Sequence, residues 1–455
     1  MSKQKILSLR ILSAMVILLS LQASVAYSQT TDTLSLNQCV DIAIKNNQNL
    51  KNKKLDELIN QGTIDETKAD LYPQLKLKGS YQYYLNVPKS LVSSAIFGGP
   101  PSDFTYAEFQ VPQNINASAD VEWQVYNPAI LAALKISKLS KDMSTMSTKD
   151  KLESVVYDIS ATYLNVQINE LQAGLTRSNI ANLKKNLELT TQLYNQGLAL
   201  RSDVDNLTVS VVNLETVLSN QLNGLNQLYY LLKIYMGLAP SYPMQVEKYT
   251  QENVTYNPIS ETDSSAYSSR SGYISLKQTG NLLELQRKSI TAGRLPTLNL
   301  VGSFGYNGLN REFRFVENYG STWNAINMVQ LNLEIPVFDG FKKRNQLLKN
   351  RFQQEQNRNS LQNLKYTFQM EQLNAVNNYD HYVRDFSYQT KNLELANKLY
   401  KQKQLEYTNS TASLNDIIAV ENTLKSAQAN YLNALVKLKV AELDIKKANG
   451  QLIKN

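Results

Sequence analysis

The chain has almost none of the residues from which catalytic and redox centres are built. His381 is its only histidine and Cys39 its only cysteine. One cysteine excludes an intramolecular disulfide framework. Cys39 sits inside "LNQCVDIAI", too far past the apolar leader for a lipid-attachment site, and is expected to be a packed helix residue. One histidine leaves His-rich metal sites and Ser-His-Asp or Cys-His-Asn constellations without their members. In "NNYDHYVRDF", His381 reads as a surface imidazole on a helix. Gly302, Gly305 and Gly308 do not have the spacing of G-x-G-x-x-G, and no crossover helix follows them, so they read as strand and loop glycines. No pair of carboxylates is set apart by its surroundings. These shortages argue against an enzyme and leave no expected catalytic, metal or cofactor site.

Long hydrophobic runs are also lacking. The one apolar stretch, residues 11–21, follows Lys3, Lys5 and Arg10 and precedes the small residues Ala26 and Ser28. It is too short to span a bilayer, so residues 1–28 read as a secretory signal cleaved near Ala26 or Ser28. With no other run of about 18 apolar residues, transmembrane helices are excluded. Without the three leader charges, 44 basic residues face 39 acidic ones, a net of +5. Those charges are scattered along helical stretches, which indicates a solvated surface rather than a nucleic-acid footprint.

What the chain does have, it has twice. "YPQLKLKGSYQY" (residues 72–83) returns as "LPTLNLVGSFGY" (residues 295–306), 223 residues later. In the first copy Leu75, Leu77, Gly79, Tyr81 and Tyr83 alternate with Gln74, Lys76, Lys78, Ser80 and Gln82. "NINASADVEWQV" and "VQLNLEIPV" alternate in the same way and supply a second strand to each copy. A long loop, roughly 84–114, joins the first pair of strands. Strands of this length, with one apolar, aromatic-edged face and one polar face, suit the wall of a transmembrane β-barrel. A half-buried sheet in a soluble sandwich shows the same alternation.

Each hairpin is followed by a long stretch without proline: 128–195 after the N-cap residue Asn127, and 340–407 after Asp339. Each would make a helix of ~100 Å. Both end in related turns, "YNQGLALRSDV" and "YTNSTASLNDI", offset by 213 residues. Heptads follow each turn: Val204, Val211, Leu218, Leu225 and Leu232 in the first copy, Ile417, Leu424, Tyr431, Leu438 and Ile445 in the second. The return helices are about half as long as the outgoing ones. Residues 34–71 read as one helix supplying the missing half in the first copy, and residues 273–295 as its weaker counterpart.

The expected organisation is therefore a first repeat at 29–240 (helix, β-hairpin about 73–126, long helix about 128–195, return helix about 203–236). A connecting equatorial segment at 241–265 follows, rich in proline. The second repeat covers 266–455 (helix, β-hairpin about 296–338, long helix about 340–407, return helix about 414–448). Helices this long and polar cannot bury a core alone, and four strands cannot close a barrel, so copies of the chain must complete both.

In "LSLNQCVDIAIKNNQNL", the two P-x-L-x-L-x-G-S strands, the "YNQG…SDV" turn and the terminal "DIIAVENTLKSAQANYLNALVKLKVAELDIKKANGQL", the chain resembles the TolC-type outer-membrane efflux family over nearly its whole mature length. The resemblance implies an α+β membrane protein: a homotrimer whose 12-stranded β-barrel, four strands per chain, is continuous with a coiled-coil-like α-helical barrel. It implies a passive exit duct in the outer membrane of a Gram-negative bacterium, with its tunnel in the periplasm. Its partners would be a periplasmic adaptor (membrane fusion) protein, an inner-membrane pump and outer-membrane lipid, with no nucleic acid. Drug efflux and type I protein secretion both fit such a duct.

By the same resemblance Asp203, Tyr407 and Asp416 are candidates for the network that closes the tunnel, with Arg201 a substitute for the family's gate arginine, whose position holds Ala412. The acidic ring often found in the family falls at Ala419. Gly197, Leu198, Ser202, Ser410 and Thr411 are candidates for adaptor contact. Helix N-terminal capping is an equal account of Asp203 and Asp416, and both roles are compatible. The rival readings are a trimeric coiled-coil structural or adhesive surface protein and, more remotely, an outer-membrane enzyme.

Overall fold

The computed structural model describes residues 32–250, 266–314, 323–409 and 411–453. The expected signal, most of the connecting segment and Ser410 lie outside these residues. The described chain falls into two compact units, one made of residues 52–150 and 267–369, the other of 1–51, 151–266 and 370–455.

In order, the elements are β1 (Asp32–Leu34), α1 (Leu36–Asn46), α2 (Gln48–Ala69), β2 (Gln74–Tyr83), β3 (Lys89–Ser93), β4 (Phe104–Glu108), β5 (Gln113–Tyr126), α3 (Pro128–Asn195) and α4 (Arg201–Met236). They continue with β6 (Met244–Val246), α5 (Ser271–Ala292), β7 (Thr297–Asn310), β8 (Trp323–Glu334), α6 (Lys342–Thr408) and α7 (Leu414–Ala448). The helices α3 and α6 run 68 and 67 residues, ~100 Å each. Among the described residues no helix is long and apolar enough to cross a membrane.

The first unit is organised by an antiparallel sheet in the order β2-β5-β7-β8. Its register aligns Leu75 with Val121, Val121 with Gly302 and Gly302 with Val329, so most apolar positions of the four strands share one face, while Val301, Ile326 and Met328 lie on the other. The opposite face carries Lys76 bonded to Glu122 at 2.7 Å, Lys78 paired with Asp120 at 2.8 Å, and Ser303 donating to Asp120 at 2.6 Å. Period-2 alternation explains the division: a one-residue slip would put every lysine among the leucines. The register also brings the four strand ends that lead to helices (Gln74, Tyr126, Thr297 and Glu334) to one end of the sheet. Gly305 permits the close β5–β7 approach, since a Cβ there would stand 2.5 Å from the Ala117 carbonyl oxygen. Each hairpin was expected by itself; the β5–β7 ladder joins the two into one sheet.

Two expectations need correction. The segment 84–114 is more than a loop, because β3 and β4 pair within it as a second hairpin, from Lys89↔Glu108 to Ser93↔Phe104. The single helix expected over 34–71 is interrupted at Asn47, which is extended (φ −59°, ψ 121°). The buried Asn47 side chain donates to the Tyr235 carbonyl at 2.7 Å and accepts from the Leu50 amide at 3.1 Å. It thereby ties the break to the end of α4.

In the second unit, α1, α3 and α4 pack around Cys39, Ala43, Ile159, Tyr163, Leu232 and Met236. The three-residue strands β1 and β6 pair in parallel beside them, and the Tyr163 hydroxyl donates to the Leu34 carbonyl at 3.0 Å. α4 ends at Gly237 in a left-handed turn (φ +72°), where Gly237 N–H bonds the Ile234 carbonyl and Leu238 N–H the Lys233 carbonyl. Further cores lie along α6 and α7, around Tyr379, Phe386, Leu435 and Leu438, and around Tyr400 and Leu424.

Candidate functional site

Within the second unit, the α3–α4 and α6–α7 turns carry the residues singled out from the sequence, apart from Ser410, which lies outside the described residues. The first turn is a left-handed helix end. Gly197 has φ +78°, its N–H bonds the Tyr194 carbonyl at 2.9 Å, and the Leu198 amide reaches the Leu193 carbonyl at 2.8 Å. This leaves Leu198 pointing outward at 72% exposure, beside the exposed Leu200. Ser202 is also exposed, at the start of α4. Asp203 accepts from the Leu200 amide at 3.2 Å, which makes it a capping residue for its own helix. Arg201 turns to Asp205, 3.1 Å away one helical turn on, rather than to Asp203. The Asp205 carboxylate holds its guanidinium above the usual arginine value.

The second turn is closed by Thr411, whose amide and hydroxyl both donate to the Glu406 carbonyl, at 2.8 and 2.9 Å. Ser413 and Asp416 form a reciprocal capping box: Asp416 accepts from the Ser413 amide at 3.0 Å, and Ser413 accepts from the Asp416 amide at 3.2 Å. The Ser413 backbone amide and then its hydroxyl hold the Asp416 carboxyl below the usual range.

The two turns are joined through Tyr407. Thr190 gives its one hydroxyl proton to the Asn186 carbonyl (2.8 Å), so Tyr407 donates to Thr190 across 2.7 Å. Around this bond Leu414 packs with Leu183, Leu207 and Val211. The structure thus brings Tyr407 of one hairpin against the other, while Asp203 and Asp416 each bond within their own helix start.

One group escaped the sequence reading. Two turns into α7, Glu421 is buried at 4% exposure, and its carboxylate meets Lys425 at 2.8 Å. Burial raises its pKa above the ordinary carboxylate value. Facing it on α6 is Tyr400, raised first by burial and then by the charge of Glu421. The Asn186 side chain of α3 approaches the buried Tyr400 hydroxyl and partly offsets that rise. The signal available was spacing: Glu421 lies four residues after Ile417 and three before Leu424, hence on the face of the buried seam. Among the described residues no group of histidine, cysteine and carboxylate side chains could hold a metal ion.

Comparison with known proteins places this architecture. A family model described as outer membrane efflux protein matches residues 282–451. Outer membrane protein TolC of Escherichia coli (strain K12) is 21% identical over 445 residues, covering 96% of this chain and 86% of TolC. Residues 282–451 thus resemble the outer membrane efflux protein family. The solved outer membrane channel CmeC of Campylobacter jejuni has the same fold, with a TM-score of 0.74 at 14% identity over 92% of this chain and 86% of CmeC. The open-state outer membrane channel MtrE of Neisseria gonorrhoeae gives 0.71 at 15% over 92% and 89%. The α3–α4 and α6–α7 turns are therefore parts of a fold shared with these outer membrane channels.

Proposed function

We propose that three copies of this efflux protein form an exit duct in the outer membrane, passively passing substrates delivered by an inner-membrane pump and a periplasmic adaptor. The observation that carries this reading is the four-stranded sheet. One face is largely apolar, the other is lined with paired charges, and among the described residues both edge strands, β2 and β8, are unpaired on their outer sides. Lipid tolerates no open edge, and four strands are too few to close, so three sheets make a twelve-stranded barrel around a polar lumen. The division into repeats at 29–240 and 266–455 belongs to the same proposal: each would supply one β-hairpin and one helical hairpin to a ring of six.

The turns form the periplasmic end. Tyr407 holds the two hairpins of one chain together, and Asp203 and Asp416, seated at helix starts, take part in closure between chains. Arg201, engaged by Asp205, serves the gate by holding the α4 start rather than by pairing with Asp203. Gly197, Leu198, Ser202, Ser410 and Thr411 meet the adaptor, and the outward Leu198 supports that role.

The test is antibiotic and detergent sensitivity in a strain lacking the protein, complemented by wild type or by Leu198→Asp. Wild type is expected to restore resistance. The variant is expected to assemble in the outer membrane at normal level yet fail to restore it. A knockout with unchanged sensitivity and unchanged protein secretion would overturn the duct.

A further inference from the structure

We propose that the junction between β8 and α6 is a binding site for the phosphate headgroup of an anionic phospholipid, one per chain. The proposal rests on the outer-membrane reading above.

A cleft of about 390 Å³ opens here, lined by Arg294, Val337, Phe338, Phe341, Lys343 and Arg344 among others. Its position relative to lipid follows from the sheet. The apolar row of β8, Val329, Leu331 and Leu333, lies opposite the face that carries the Lys76–Glu122 and Lys78–Asp120 pairs. That row continues past the strand in Ile335 and Val337, and Val337, 93% exposed, forms part of the cleft. The cleft thus sits where the apolar wall stops, at the end of the sheet from which the helices leave. An acyl chain laid along the row would put its headgroup there.

The chemistry at that depth is cationic. The guanidinium groups of Arg294 and Arg344 have no hydrogen bond or ion pair among the described residues. Lys343 donates to the Gly293 carbonyl, which ties the start of α6 to the turn before β7 and sets the spacing of the cleft. Asp339 also lines the cleft, but its carboxylate is occupied in capping α6, accepting from the Lys343 amide at 3.0 Å. Three cations against one engaged carboxylate favour an anion, and planar guanidinium suits phosphate oxygens.

The backbone adds a second observation. Gly340 and Phe341 are consecutive left-handed residues (φ +63° and +65°), and Phe341 is the one non-glycine residue with positive φ among those described. A bulky side chain is rarely held this way. Here the conformation sets Phe341 edge-on to Phe338, ring centroids 5.4 Å apart, with both rings exposed beside the cations. Exposed aromatics flanked by Lys and Arg are the composition of a membrane–water interface.

The internal repeat gives a control. At offsets of 223 and 212, the first half has Leu71 where the second has Arg294, and Ala129, Ile130, Leu131 and Ala132 where the second has Phe341, Lys342, Lys343 and Arg344. The quasi-equivalent junction holds no cation, so the basic cluster is an addition of the second half rather than a requirement of the turn.

The experiment is native mass spectrometry of the full-length protein purified in detergent. It is titrated with phosphatidylglycerol, with phosphatidylethanolamine and with inorganic phosphate, for wild type and for Arg294→Leu/Arg344→Ala, which restores the first-half residues. The expected result is saturation at one phosphatidylglycerol per chain, at least ~10-fold tighter than phosphatidylethanolamine, with the preference lost in the variant. Equal binding of the two lipids by wild type, or an unchanged preference in the variant, overturns the site. Competition by phosphate alone at the same concentrations would make it a free-anion site and overturn the lipid assignment. Should the double variant fail to assemble, Arg294→Gln and Arg344→Gln singly are each expected to weaken the preference, and no weakening in either overturns the proposal. The oligomeric mass is read in the same spectra, so loss of the duct reading (no trimer) is distinguished from loss of the site (trimer without preference).

Discussion

At the scale of single residues, the telling group is Glu421, a carboxylate held in an apolar helical seam. Burial raises its folded-state pKa above the ordinary 4.5, so its ionised form opposes folding. The folded chain then binds the proton more tightly than the unfolded chain. Stability falls as pH rises from about 4.5 through the higher folded value, and the penalty vanishes below 4.5. Glu421→Gln is therefore expected to raise the thermal midpoint near neutral pH and to make no difference in acid; a gain that grows on acidification would sink this account. Cys39 is the opposite kind of residue. It is fully buried, and burial, then the Glu247 charge, pushes its thiol up to about 11. In the folded protein it is expected to resist maleimide at about pH 7.5, and rapid labelling would show that the α1 packing opens. Its role as a packed helix residue could be read from "LNQCVDIAI". Glu421 could have been found by its spacing, yet its burial depends on packing against other helices, with Tyr400 of α6 facing it.

At the scale of elements, what could be read depended on the range of the forces involved. The alternation of 74–83 and the proline-free run after Pro128 are local patterns, and they appear as β2 and α3. The Ser413–Asp416 capping box is equally local. Ser413→Ala is expected to cost about 1 kcal/mol, measured as a lowered denaturation midpoint, with Asp416 losing one of its two Ser413 partners. The break at Asn47 was not legible, because its decisive bond goes to Tyr235, 188 residues away. The strands β1 and β6 are three residues each and exist only through their mutual pairing. Gly237 sits against the same break. A Cβ there would stand 2.3 Å from the Asn46 carbonyl oxygen, in a backbone conformation that also disfavours side chains. Gly237→Ala is expected to destabilise by more than the ~1–2 kcal/mol of the left-handed strain alone, and a neutral result would mean that α1 and α4 separate easily.

At the scale of the whole molecule, the sheet bears on the proposed number of copies. Among the described residues both its edges are open, and its charged face bears Lys76, Lys78, Asp120 and Glu122. Two copies would make eight strands, whose interior is just filled by side chains, a poor place for four charges from each chain. The proposed three copies would leave an aqueous lumen for them. Closure of the proposed ring would be heterologous: the β2 edge of one copy would meet the β8 edge of the next, and neither edge would meet itself. Lys76→Cys and Asn332→Cys place one thiol on each edge strand, both on the polar face. The native Cys39 is buried and does not compete. With a flexible bis-maleimide, the double variant is expected to form a ladder ending at three chains, while each single variant stays uncross-linked because its partner edge carries no thiol. Cross-linking in the single variants would mean that like edges meet, and a ladder continuing past three would mean that the ring closes at another number.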